Sequence, residues 1–536
     1  MLKELRTLVL SVVLCSVAAL SGEHAAQAQE RYWINPDGGD FSTPANWSAT
    51  EGGAGGASVP GAGDYARFWL DETFTVTFSQ SVTTSGLNVR EGNVTLDLNG
   101  RTYTFGFTGL FVGFSPDQTG RLTVRDGIVG ASSNSDIMLI GQLTDSTGFV
   151  TVSTGGRLGN GTIRPDIMVG SSGTGTLTVN DNGQIDAEDL SVGSGSTSTG
   201  TVTITGPNAV ANFSGITSIG IGGGGTANIT GGGTLTSDAD VFLGQSLGGD
   251  GTATVSGIGS SWTITGWTTI GDAGGGTLTI ASGGVVSSVD NNPVYLGNSA
   301  TGIGTVTVTG AGSAWNNGYF LGVGAAGKGT LNVRSGGTVS ADSLVIGELA
   351  GGEGRLEIDG AGSQVTVNDL YVGYGGSGTL EVTSGGRLET CTTGLCTFFG
   401  SGYAYILNGG AARVSGAGST LVVGLDLVVG GTGAGTLTVE NGAHVEIGNE
   451  LFITNTSGLT AVNFHGGSIL TEDVNRQGVL NWTDGTLTVD GGFFENNGGN
   501  LTISGGDADD LPTLHLAKGG FFSGMGTLLT IGYTRQ

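Results

Sequence analysis

The sequence predicts an all-β chain wound into a parallel, right-handed β-helix, a β-solenoid with about 25–26 residues per coil. Three observations predict it: a strand motif that recurs at a fixed interval, a second motif with the same interval, and abundant Gly with little Pro. The first motif is Gly-x-apolar-x-apolar. It reads GTLTV from Gly175, GTVTI from Gly200, GTANI from Gly225, GTATV from Gly251 and GTLTI from Gly276, within a series running from GRLTV at Gly120 to GTLTV at Gly485. The second is a short apolar run closed by Gly, as at Gly193, Gly220, Gly244, Gly271 and Gly297, within a series from Gly113 to Gly430.

The alternation inside the first motif sets the geometry. Leu177 and Val179 share one face of a strand, and Thr176 and Thr178 share the other. A single coil cannot bury its apolar face alone. Stacking the coils lays Leu on Leu and Val on Val at a strand spacing of about 4.8 Å. About 14 such coils make a rod roughly 65–70 Å long. Glycine supplies the backbone freedom for three changes of direction per coil. With 108 Gly, 8 Pro and no strict triplet period, collagen is excluded. Recurrent aliphatics and only 12% charged residues argue against disorder.

A longer alternation overlies the coil. Ser282-Gly283-Gly284, Ser335-Gly336-Gly337 and Ser384-Gly385-Gly386 mark one coil type. Gly257-Ile258-Gly259-Ser260-Ser261-Trp262, Gly310-Ala311-Gly312-Ser313-Ala314-Trp315, Gly360-Ala361-Gly362-Ser363 and Gly416-Ala417-Gly418-Ser419 mark the other. From about Gly120 to Val445 these alternating units resemble the repeat associated with type V secretion (autotransporter) passengers and PEP-CTERM proteins. The resemblance implies an exported bacterial surface or matrix protein with a β-solenoid body and no defined catalytic residues. It would place a terminal β-barrel or a Pro-Glu-Pro sorting signal after the repeats. Neither follows here, so release, retention by partners and an incomplete sequence all stay open.

The division read from the sequence has four parts. Residues 1–28 are a signal peptide: Lys3 and Arg6, then an apolar run from Leu8 to Leu20, then the small–x–small site Ala26-Gln27-Ala28. Residues 29–114, rich in Trp and Phe, are a capping module with the first coils. Residues 115–445 are the regular solenoid, and 446–536 are degenerate C-terminal coils. Cleavage removes two basic and two acidic side chains and leaves the net charge at −27. That charge repels nucleic acid and anionic lipid. No later segment is long and apolar enough for a transmembrane helix. The partners expected are extracellular polysaccharide or other cell-surface proteins, outside the cell or on its outer envelope.

Chemistry-bearing motifs are few. Gly244-Gln245-Ser246-Leu247-Gly248 fits GxSxG, and Gly220, Gly222 and Gly225 fit GxGxxG, but both fall at strand exits with no helix to follow. His444, His465 and His515 lack zinc-motif spacing. Asp166, Asp189, Asp240, Asp369, Asp426 and Glu450 recur just before the second motif, so Asp166/Asp189 and Asp426/Glu450 would meet across adjacent coils. Such pairs could take Ca²⁺. The favoured reading is a turn-forming Asp that caps local backbone, and no cofactor is expected. Cys391 and Cys396 would form a disulfide in an oxidising compartment. Trp262, Trp267 and Trp315 are candidate glycan contacts. The function expected is a non-catalytic, adhesin-like exported scaffold. The alternative is a carbohydrate-binding or carbohydrate-active β-helix.

Overall fold

The computed structural model describes residues 29–289, 291–391, 401–431, 433–454, 459–498, 501–505, 512–518, 520–523 and 529–533. The predicted signal peptide lies outside the described residues. The described chain is a parallel β-solenoid of about 17 turns. This exceeds the roughly 14 coils expected from the glycine intervals. The additional turns come from residues flanking the clean repeats: Tyr65–Phe68 pairs in parallel with Gly86–Val89, and Phe493–Asn496 with Gly520–Ser523.

Each regular coil contributes three strands to three faces. Face A contains Thr174–Val179, Thr199–Thr205 and Gly224–Thr230. Face B contains Gln184–Ala187, Val210–Phe213 and Thr234–Ser237. Face C contains Leu190–Val192, Thr217–Ile219 and Val241–Leu243. Every strand pairs with its counterpart in the next coil, so like positions stack. Leu177, Val202, Ala227, Ala253 and Leu278 form one interior row on face A, all at most 2% exposed. Each large aliphatic in such a row contributes about 1.5–3 kcal/mol from burial, set against backbone ordering of about 1–2 kcal/mol per residue.

The corners explain the glycines. Gly244 ends a face C strand at φ +70, and a Cβ there would lie 2.0 Å from the carbonyl oxygen of Gly275 in the next coil. The corner therefore needs both a left-handed backbone and the absence of a side chain.

The two-coil alternation has a hydrogen-bond basis. Ser260 Oγ donates to the Ser256 carbonyl (2.8 Å) and accepts the N–H of Gly232 in the preceding coil (3.0 Å). Ser313, Ser363 and Ser419 repeat the arrangement on Gly283, Gly336 and Gly385. The serine of one coil type thus clasps the glycine turn of the other. This satisfies a backbone donor that the turn would otherwise leave unpaired.

At the N-terminal end, Trp47–Ser48 runs antiparallel to Glu30–Trp33. Trp33, Phe41, Trp47, Phe68, Phe74, Phe78 and Tyr103 are buried in one cluster, with Trp33–Trp47 and Phe41–Trp47 edge-to-face at 5.2 and 4.9 Å. These rings are core and present no open platform to a sugar.

Candidate functional site: the outer side of face C

The inward rows of the described coils form one continuous cluster of buried hydrophobic side chains, so the chemistry is sought in what points outward. On face A the outward row is Thr176, Thr201, Thr226, Thr252, Thr277 and Thr305 in register. Several of its charges are paired across coils, as in Arg125–Asp97, Arg355–Glu381 and Arg413–Glu440.

Face C differs. Its outward residue, coil after coil, is Phe242, Thr269, Tyr295, Gly322, Val345, Tyr371, Tyr405, Val428 and Phe452. Tyr371 and Tyr405 stack at 5.1 Å with an interplanar angle of 8°, and Tyr403 lies 6.0 Å from Tyr405. Tyr374 meets Tyr371 edge-on at 5.7 Å. Tyr295 packs on Phe320 at 5.7 Å across Gly322, where a side chain would strike both rings and Glu348. With Tyr319 these make six of the ten tyrosines, gathered in five consecutive coils on one face. Sequence reasoning missed this patch. The available signal was the middle residue of the strand before each corner glycine, read down the repeats instead of along the chain.

Carboxylates border the rings. Asp369 Oδ1 accepts the N–H groups of Gly402 and Tyr403, both at 3.1 Å. Burial pushes the Asp369 carboxyl up despite those bonds, with Asp342 adding to the rise. Burial also raises Glu348, whose Oε2 is buried without a hydrogen-bond partner. Burial, then Asp369, Tyr405 and Tyr374, raises Tyr371, and burial, then Tyr403, Asp369 and Asp426, raises Tyr405.

The predicted acidic column lies along the corner leading into face C. Asp166 and Asp189 do fall in adjacent coils, as do Asp426 and Glu450. Each Asp spends an oxygen on the next coil's backbone: Asp166 on Asp189 N–H (3.2 Å), Asp189 on Ile216 (2.6 Å), Asp240 on Trp267 (3.1 Å) and Asp426 on Glu450 (3.2 Å). Burial, then the charge of Asp189, pushes Asp166 up to about 7. Among the described residues no three His, Cys, Asp or Glu come together as a metal site.

The aromatic candidates separate. Trp262 and Trp315 are 1% and 0% exposed, inside the solenoid between aliphatics of neighbouring coils. Strand alternation turns them inward with Ile264 and Asn317, so neither can meet a glycan. The Trp262 indole donates to Ser237 Oγ at 3.1 Å. Trp267 is 54% exposed beside face C, because it occupies a corner register and not an inward one.

Cys391 is disulfide-bonded; Cys396 lies outside the described residues. Gly220 and Gly244 are corner glycines that lead into further strands, so neither glycine motif opens a helix. His444 bonds Ser468 and His465 bonds Thr483, on different coils. Two shallow depressions, of about 200 and 280 Å³, lie near the N-terminal end at Tyr65–Phe111 and Glu72–Arg121. Both are smaller than typical small-molecule sites.

No protein-family model matches the chain. A 184-residue stretch, 33% of the chain, is 31% identical to "Uncharacterized lipoprotein YdeK" of Escherichia coli (strain K12). The chain spans only 14% of the length of that relative. A solved TibC-catalyzed hyper-glycosylated TibA fragment aligns over 76% of this chain and 99% of its own, at 15% identity and a TM-score of 0.32.

Proposed function

We propose that this chain is a non-catalytic, exported scaffold of the adhesin-like kind, with the outer side of face C as its contacting surface. One observation carries the reading. The solenoid repeats its interior with little variation, while the outer side of face C gathers tyrosines and carboxylates where face A repeats threonine. A surface that contacts nothing would not need such a departure, because Thr and charged residues serve exposed strands equally well. The basic–apolar–small start of the sequence supports export.

The test is incubation of residues 29–536 with an extracellular-glycan panel and with bacterial cells. Retention without release of reducing ends is expected. Release of reducing ends would overturn the non-catalytic reading, and no retention on either would overturn the adhesive one. The acidic column acts as a set of backbone caps in this reading, so calorimetric titration with Ca²⁺ should give no heat and no change in melting.

A further inference from the structure

We propose that the tyrosine–carboxylate patch of face C docks a linear amino-sugar polymer carrying free ammonium groups; the inference rests on the adhesive-scaffold reading above.

Charge is the first argument. From the coil of Val241 to that of Phe452, the face C side holds Asp240, Asp272, Asp342, Glu348, Asp369, Asp426 and Glu450, and no Lys or Arg among the described residues. None of these acids forms an ion pair among the described residues. In the same coils the cations Lys328, Arg334, Arg355 and Arg413 stand on face A and Arg387 on face B. Partly buried carboxylates with no counter-charge are stabilised by an incoming cation. A polyanion would be repelled, and a neutral glycan would leave them uncompensated.

Ring geometry is the second. Tyr371 and Tyr405 cover each other's faces, so they offer edges and hydroxyls to a ligand. Open ring faces belong to Tyr374 and Tyr319, 56% and 43% exposed, which suit an ammonium group or an apolar sugar face. No hydroxyl of the six tyrosines has a hydrogen-bond partner within the protein among the described residues. They stand ready for a ligand rich in hydroxyls.

Spacing is the third. The patch runs through five consecutive coils stacked at the strand spacing of about 4.8 Å. A linear sugar chain laid along the axis from Tyr295 to Tyr405 covers about four strand spacings, roughly 19 Å, and reaches the tyrosine hydroxyls and the bordering acids together.

The experiment measures binding of residues 29–536 to a glucosamine oligomer with free amines, its fully N-acetylated counterpart, and oligolysine of matched length, in mildly acidic buffer that keeps the amines protonated. The free-amine oligomer should bind at least about tenfold more tightly than the N-acetylated one, and more weakly as salt rises. Tyr374→Ala combined with Glu348→Gln should weaken it by at least about tenfold, while Thr279→Ala on face A leaves it unchanged. Circular dichroism and melting confirm that each variant is folded. Equal binding of the neutral oligomer, tighter binding of oligolysine, or no effect of the face C variant would overturn the inference. If the free-amine oligomer fails to bind while the glycan panel or cells still retain the protein, only this inference falls and the scaffold reading stands.

Discussion

Faces A and C are built on the same backbone and share one interior, yet their outer rows diverge. Face A repeats Thr176, Thr201 and Thr226; face C at its centre presents Tyr371, Tyr374 and Tyr405 beside unpaired acids. Face A pairs several of its charges across coils, as in Lys328–Glu353, whereas the central acids of face C form no ion pair among the described residues. A parallel solenoid separates the inward positions, which hold the stack together, from the outward ones, which are free to vary. Function can therefore be written on one face without disturbing the fold.

The largest disruption comes from the interior that both faces share. Trp262→Ala should cost about 3–5 kcal/mol, read from urea denaturation, and should weaken both faces together. If only one face lost protection in hydrogen exchange, the faces would not be a single cooperative stack. Gly244→Ala should cost about 2 kcal/mol or more, since it adds a strained left-handed Ala to a backbone clash at the corner joining C to A.

Outward substitutions test the comparison itself. Tyr405→Ala should cost about 0.5–1.5 kcal/mol by removing its stack on Tyr371. Thr279→Val on face A should stay within about 0.5 kcal/mol in the same denaturation assay. Equal costs would erase the distinction between the faces.

The corner acids predict a pH effect of defined sign. The Asp166 carboxyl sits near 7 in the folded chain and near 4 when unfolded, so the folded state binds more protons between those values. The penalty for its charge is absent below about 4 and complete above about 7, and stability falls as pH rises through that window. Asp166→Asn should raise the melting temperature at pH 8 relative to the parent chain and leave it nearly unchanged at pH 4. A gain at pH 4 as large as that at pH 8 would refute the burial of the charge.

Much of this was legible in single repeats. Leu177 and Val179 had to face inward, because Thr176 and Thr178 cannot supply a core. Asp166, Asp189 and Asp426 were legible as a column, and as backbone caps. Trp262 and Trp315 were misjudged as glycan contacts, because a motif such as GAGSxW marks where Trp recurs but not which way the strand turns it. The tyrosine patch is legible only when the repeats are aligned on their corner glycines, since Tyr295, Tyr371 and Tyr405 lie tens of residues apart along the chain.

The sequence by itself determined the coil, its period and its aliphatic spine, because alternation and recurrence are local properties of a chain that must bury one side of every strand. Only the tertiary structure decided which outward residues became neighbours. Stacking turns a separation of one coil into a few ångströms, and the exact length of each loop sets which side chain rests on which.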